Sequence, residues 1–381
     1  MQVLFMAIFV LLGAILRDVN LLIVLAGTLL ATLLIQWRIC AKTLEGLSAY
    51  RRLPRSMQAR KAFEIELVLS NTKSWLGAWL VLAQDRMTFV TSDPMVEPIS
   101  QGISLLYSSI TPNSKRFQKY RCIVQRCGEY RFLGAELTTR FPFGLMRGIL
   151  PQKGGDSFIV QPAIGKLQSS WTEVFGVRTS GSKHRQARSM SDEGEFFGLR
   201  AYRPGDSPRW IHWRSSARRN ELMVKQFQQT DNRELVVLLD LSKPDQDDSQ
   251  RLTPYQSNME LAIEFVATLT NQIVSANFGM ITVAIADKEP TIACRIQSRS
   301  QGSGLLDRLA IAEGGVSGSV ETALRLLELE FRRVESLLVV STRSRESYNL
   351  QDRQNAGVVF WRSMNWLDVS AGELKKYFVP A

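Results

Sequence analysis

Leu235-Val236-Val237-Leu238-Leu239 is an unbroken apolar run that ends at Asp240-Leu241-Ser242. A strand without polar alternation is one covered on both faces, as in a parallel sheet flanked by helices. The sequence downstream supplies the flanking elements. Ser257-Asn258-Met259-Glu260 has capping-box spacing and predicts the start of a helix with Ala262, Phe265, Val266, Leu269 and Ile273 on one face. Strands are predicted over 280–285 and 291–296, joined by the turn residues Asp287-Lys288-Glu289-Pro290. Helices follow over 303–312 and 319–335, the second with Val320, Ala323, Leu324, Leu327, Phe331 and Val334 as its buried stripe. Strands over 337–340 and 358–361 complete a doubly wound α/β domain spanning 234–381. In such sheets ligands bind beyond the carboxyl ends of the strands, where Asp240 sits.

One domain does not account for 381 residues. Upstream, residues 62–165 change texture: Phe63-Glu64-Ile65-Glu66-Leu67-Val68-Leu69 alternates apolar and polar before turning at Ser70-Asn71-Thr72. Further strand-like stretches at 77–82, 120–124 and 134–139 predict a small antiparallel β-sandwich. Phe141-Pro142-Phe143-Gly144-Leu145 is a loop or edge element, because Pro lacks a ladder donor and Gly a packing side chain.

The net charge of +11 is localised. Residues 1–60 hold seven basic and two acidic side chains, residues 178–233 hold twelve and six, and the rest is balanced at 28 against 28. In the first zone, apolar runs over 1–16 and 21–37 flank Arg17-Asp18-Val19-Asn20 and predict a transmembrane helical hairpin over 1–37. A signal peptide would show an early basic region, one apolar segment and a small-residue cleavage site. Arg38, Lys42, Arg51, Arg52, Arg55, Arg60 and Lys61 follow in a basic juxtamembrane segment, 38–61. By the positive-inside rule they place both termini and the soluble part in the cytoplasm, against an inner or plasma membrane whose lipid is one partner. Four scattered cysteines without a C-x-x-C pair, and two histidines, argue against a zinc module and agree with a reducing compartment.

In the second zone, 166–194 reads as an exposed linker, and 195–233 as a tight arginine–aromatic segment. Pro204-Gly205-Asp206 is turn chemistry, and Arg200, Arg203, Arg209, Arg214 and Arg218 interleave with Tyr202, Trp210 and Trp213. The pattern of Gly194, Phe197, Leu199-Arg200, Tyr202, Pro204-Gly205-Asp206, Arg209, Ile211, Trp213 and Ser216-Ala217-Arg218 resembles the signature of domain-of-unknown-function family 58. Gly128-Glu129-Tyr130 and Pro142-Phe143-Gly144-Leu145 fit the same resemblance. It implies a bacterial protein with a membrane hairpin, a β domain and a C-terminal von Willebrand factor A-like domain, associated with a MoxR-type AAA+ ATPase in assembly or chaperone-like work.

An A-like domain implies Mg²⁺ held through D-x-S-x-S, a later Thr and a later Asp, all hard oxygen ligands. This chain keeps Asp240 and Ser242, but Pro244 replaces the second Ser. Val316 stands near the Thr position, with Ser317 or Ser319 as substitutes, and Ser341-Thr342-Arg343 brings an arginine where the Asp would be. The degenerate set Asp240, Ser242 and Ser317 is expected to need no cofactor, with Asp240 paired instead to Arg343 or to an arginine of the signature segment. The leading expectation is a non-enzymatic, membrane-anchored interaction protein that presents its A-like domain to a protein partner. The signature residues Arg200, Tyr202, Pro204, Gly205, Asp206, Arg209, Trp213 and Arg218 either fasten that segment or form the docking surface. The alternatives are an envelope-related hydrolase, for which His212 with Asp206 is the available acid–base pair, or an anionic-lipid or nucleic-acid binder using 178–233. Six acidic residues in that zone argue against nucleic acid.

Overall fold

The computed structural model describes residues 5–6, 8–10, 12–13, 20–90, 100–169, 171, 195–204, 206–228, 234–242, 249–276, 279–315, 319–331, 337–343 and 364–381. Helix α1 (Asn20–Leu44) is 25 residues long, about 37 Å at 1.5 Å per residue. It is apolar and long enough to cross a membrane, and among the described residues it is the one helix that is. The expected hairpin thus reduces to one shown span, since most of the first arm lies outside the described residues. Arg38 and Lys42 belong to the last turns of α1, so the helix continues past the predicted end at Trp37. Lys73 Nζ donates to the carbonyls of Lys42 (2.7 Å) and Thr43 (2.8 Å), satisfying acceptors that every helix C-terminus leaves open.

Two antiparallel sheets follow. One pairs β1 (Leu47–Arg52), β2 (Phe63–Asn71) and β5 (Ser114–Cys122). The other pairs β4 (Ser100–Ile110), β3 (Ala78–Phe89), β6 (Gly128–Thr139) and β7 (Gly148–Pro151), with β8 (Ser157–Val160) also on β6. Ile65, Leu67, Leu69, Val81, Ala83, Phe132 and Leu137 fill the space between them. Strand β3 runs seven residues past the predicted stretch, through the polar Gln84-Asp85-Arg86. The structure shows why: Asp85 is buried, and Arg51 grips it with Nε at 2.9 Å from Oδ2 and Nη2 at 2.6 Å from Oδ1. Tyr120 Oη donates to Oδ2 from the facing sheet at 3.0 Å, and the guanidinium lies 4.3 Å from the Phe132 ring centre. Burial, and then the Asp85 carboxylate, push the Tyr120 phenol up, so it stays a donor at all ordinary pH.

The α/β domain has a five-stranded sheet in the order β14 (Thr291–Ile296), β13 (Met280–Ala286), β12 (Glu234–Asp240), β15 (Leu337–Ser341), β16 (Met364–Asp368). All pairs are parallel except β13–β14. Helices α3 (Ser249–Ala276) and α4 (Arg299–Ala310) cover one face, and α5 (Ser319–Glu330) the other, each against its own buried cluster. Helix α3 begins at Ser249, ahead of the capping box predicted at Ser257, because Tyr255 is buried and donates to the Leu241 carbonyl at 2.6 Å. Helix α4 begins at Arg299 with Ser298 as its cap and Gln301 closing a capping box. The strand predicted over 358–361 lies outside the described residues; β16 occupies the next place in the sheet. Two short pieces complete the domain. Strand β9 (Lys166–Leu167) pairs with β17 (Phe378–Val379), and Trp171 is buried in the α3-side core, although both β9 and Trp171 fall in the stretch read as a linker. Residues 172–194 are outside the described set.

The buried Arg51–Asp85–Tyr120 contact gives the first prediction. Asp85→Asn leaves the buried Arg51 guanidinium with only the exposed Asp156 carboxylate, 3.7 Å away, and is expected to destabilise the sandwich by about 3 kcal/mol in urea unfolding of the full chain. A change under about 1 kcal/mol would show that the contact does not hold the two sheets together.

Candidate functional site

Two places draw together the residues singled out from sequence. The first is the carboxyl end of β12 and β15, where Asp240 and Ser341 are register partners. Asp240 is fully buried. Its Oδ1 accepts the Ser242 amide at 2.9 Å, its Oδ2 accepts the Ser341 hydroxyl at 2.6 Å, and Arg343 Nε lies 3.8 Å from Oδ2. Thr342 Oγ1 donates to the Ser242 carbonyl at 3.1 Å, and the Gly315 amide donates to the Leu241 carbonyl at 2.7 Å. Gly315 is required there, because a Cβ would stand 2.7 Å from the Ala286 carbonyl oxygen. The Ser242 hydroxyl is buried without a partner among the described residues.

These residues do not fit a divalent cation. Mg²⁺ needs several free hard oxygens, but both Asp240 oxygens already accept hydrogen bonds, and the guanidinium brings its positive charge to within 3.8 Å of one of them. Ser317 and Pro244 lie outside the described residues, and no group of three His, Cys, Asp or Glu able to hold a metal occurs among the described ones. The contact between Asp240 and Arg343 is one of the two arrangements expected from sequence.

The second place is the signature segment. Strands β10 (Glu195–Ala201) and β11 (Met223–Gln228) form an antiparallel pair, irregular between Phe196 and Gly198, with the short helix α2 (Trp213–Arg219) between them. Arg200 holds Asp206 in a two-point grip, Nη1–Oδ2 2.6 Å and Nη2–Oδ1 2.7 Å. Asp206 also accepts the Arg203 amide at 2.8 Å, which sets the turn. The hydrogen bonds from Arg200 come first in holding the Asp206 carboxyl down to about 2. Tyr202 is half-buried and its amide donates to the Leu222 carbonyl at 2.8 Å.

His212 is the N-cap of α2: its Nδ1 accepts the Ser215 amide at 3.3 Å and lies 2.9 Å from the Ser215 hydroxyl. Ser216, buried, accepts the Met223 amide at 2.9 Å and so ties α2 to β11. Asp206 and His212 are not brought together; Asp206 is committed to Arg200 and His212 to the helix start. The segment's internal contacts thereby use the Asp206 carboxylate, the His212 imidazole and the Ser216 hydroxyl. Pro204, Arg209, Trp213, Arg214 and Arg218 are left exposed, Trp213 at 66%. Gly205 is outside the described residues.

The family comparison falls on this geometry. Residues 198–355 match the model of the family described as Protein of unknown function DUF58. The matched span takes in most of the β10–β11 pair, α2 and the sheet through β15, and thus both places just described. No curated protein matches the chain. Among solved structures, the beta-glucosidase from Listeria innocua in complex with gluconolactone is similar at 11% identity over 30% of this chain and 16% of that one, TM-score 0.19. Superoxide reductase (Neelaredoxin) from Ignicoccus hospitalis is similar at 7% identity over 30% of this chain and 80% of that one, TM-score 0.19. The chain thus spans about a sixth of the length of the beta-glucosidase. Likenesses this weak carry neither fold nor activity across.

The clamp gives a pH prediction. A carboxyl held below its ordinary value in the fold lends stability above that value and loses it as pH falls through the lowered one. The Arg203 amide is therefore expected to stay protected from hydrogen exchange from neutral pH down to about 4, with protection fading toward pH 2. Loss of that protection near pH 6 would place the control of the turn elsewhere.

Proposed function

We propose that this protein is a non-enzymatic, membrane-anchored interaction protein whose signature segment docks a protein partner. The observation that carries the reading is the division of labour within 195–228. The Arg200–Asp206 clamp, the His212 cap and the Ser216 tie commit Asp206, His212 and Ser216 to holding the segment's shape, while Trp213, Arg209, Arg214 and Arg218 are exposed. An exposed tryptophan beside arginines on a braced segment is the composition of an interface hot spot. The α/β unit is read as a von Willebrand factor A-like domain whose metal place is taken by Arg343, so the partner is recognised without a bridging Mg²⁺. On the resemblance of the signature, the partner is a MoxR-type AAA+ ATPase.

The chain is read as anchored by a hairpin, α1 being its second arm, in a bacterial inner or plasma membrane. The basic residues after α1 support a cytoplasmic position for the soluble part. The test uses the full-length chain recovered in detergent from its own host, alongside Trp213→Ala and Arg218→Glu. The wild-type chain is expected to co-purify a MoxR-type ATPase, and each variant to retain a tenth or less of it, the scale of a loss of about 1.4 kcal/mol or more. Equal recovery by all three chains, or none by the wild type, would overturn the proposal.

A further inference from the structure

The loop Arg140-Phe141-Pro142-Phe143-Gly144-Leu145-Met146-Arg147 joins β6 to β7 and meets α1. Gln36, in the apolar part of that helix, is fully buried. Its Nε2 donates to the carbonyls of Arg140 (3.2 Å) and Met146 (3.0 Å), and its Oε1 accepts the Leu145 amide at 3.2 Å. One turn on, Cys40 Sγ donates to the Phe141 carbonyl at 3.1 Å. Gly148 packs so closely that a Cβ would meet Leu44 at 3.0 Å and Cys40 at 3.2 Å. These contacts fix the loop at the depth of Gln36 and Trp37, ahead of Arg38 and Lys42.

At that depth the loop turns its apolar side chains outward. Phe143 is 56% exposed, and Leu145 and Met146 are exposed beside it. Trp79 of β3, also exposed, has its ring 5.4 Å from that of Phe141. Trp75 is 70% exposed with the Lys42 ammonium 5.7 Å from its ring centre. Trp37 of α1 is exposed at the same level, and Arg38, Lys42, Arg140 and Arg147 frame the group. A soluble surface does not gather three tryptophans, a phenylalanine and two long aliphatic side chains without a use for them. Aromatic rings edged by cations are what the water–lipid boundary selects, the rings at headgroup level and the cations toward anionic phosphates. The patch also continues directly into the exposed apolar flank of α1, at Leu34 and Ile35.

We propose that this rim of the sandwich, centred on Phe143, Leu145 and Trp79, sits in the phospholipid headgroup layer. The β domain then rests on the bilayer beside α1 instead of hanging from it. The inference rests on the reading of α1 as a membrane anchor, and the experiment separates the two.

The full chain is reconstituted in phosphatidylcholine–phosphatidylglycerol vesicles containing a phospholipid with a diazirine near the top of its acyl chain. Adducts are mapped by peptide mass spectrometry after illumination. Labels are expected on α1 and on the 141–147 and 75–80 peptides, with none at Ile123, an exposed apolar residue outside the rim. A Phe143→Ser/Leu145→Ser chain is expected to keep the α1 label and lose that of the loop. Label on α1 with none on the loop, or equal label on the loop and Ile123, overturns the seating of the rim. Absence of label on α1 as well overturns the anchor reading beneath it.

Discussion

The architecture depends on a buried carboxylate at the junction of its two folded domains. Glu264 of α3 has a nearly inaccessible side chain, yet it lies on the helix face turned toward the β-sandwich. It accepts Arg60 Nη1 at 3.0 Å and the Ala381 amide at 2.6 Å. One turn before it, Glu260 pairs with Arg126 at 3.0 Å; one turn after it, Thr268 accepts the Gly165 amide at 3.0 Å. Positions 260, 264 and 268 form a stripe at i, i+4 spacing, opposite the apolar stripe that α3 lays on the sheet. Helix α4 repeats the device, with Ser303 and Asp307 receiving Gln161 Nε2 at 3.0 and 2.8 Å. A buried charge with two strong donors has one good geometry, and any hinge between the domains would strand it.

That junction is one of three buried polar contacts that, among the described residues, join successive parts of the fold. Gln36 fixes α1 to the sandwich, Arg51–Asp85–Tyr120 fixes its two sheets, and Glu264 fixes the sandwich to the α/β domain. Burial pushes the Cys127 thiol, beside the last of these, up to about 12, so the junction holds no reactive thiolate. The result is a stiff column from the apolar helix to the sheet.

Much of the fold is legible where side-chain periodicity and burial agree. The run 235–239, the stripe on α3, strands 280–285 and 291–296, and the alternating strand at 63 all appear as elements close to their expected bounds. What escapes is structure decided by a partner distant in sequence. Strand β3 continues through Gln84-Asp85-Arg86 only because Arg51 neutralises Asp85. Helix α3 starts early because Tyr255 reaches Leu241. Helix α4 also starts ahead of its expected bound at 303, at the local Ser298–Gln301 capping box. The candidate site is legible in its residues but not in its wiring. Sequence offers Arg343 or a signature arginine to Asp240, and an arginine or His212 to Asp206; the fold gives Arg343 to Asp240 and Arg200 to Asp206. The stripe 260–264–268 gives no signal, since polar residues at helical spacing ordinarily face water.

The most direct measurement is hydrogen exchange of the full chain in lipid nanodiscs, wild type against Glu264→Gln. The column predicts that the Gly165 and Ala381 amides exchange at least about tenfold faster in the variant, while the β12 and β13 strands keep their protection. Unchanged exchange at those two amides would show that Glu264 does not hold the α/β domain against the β-sandwich.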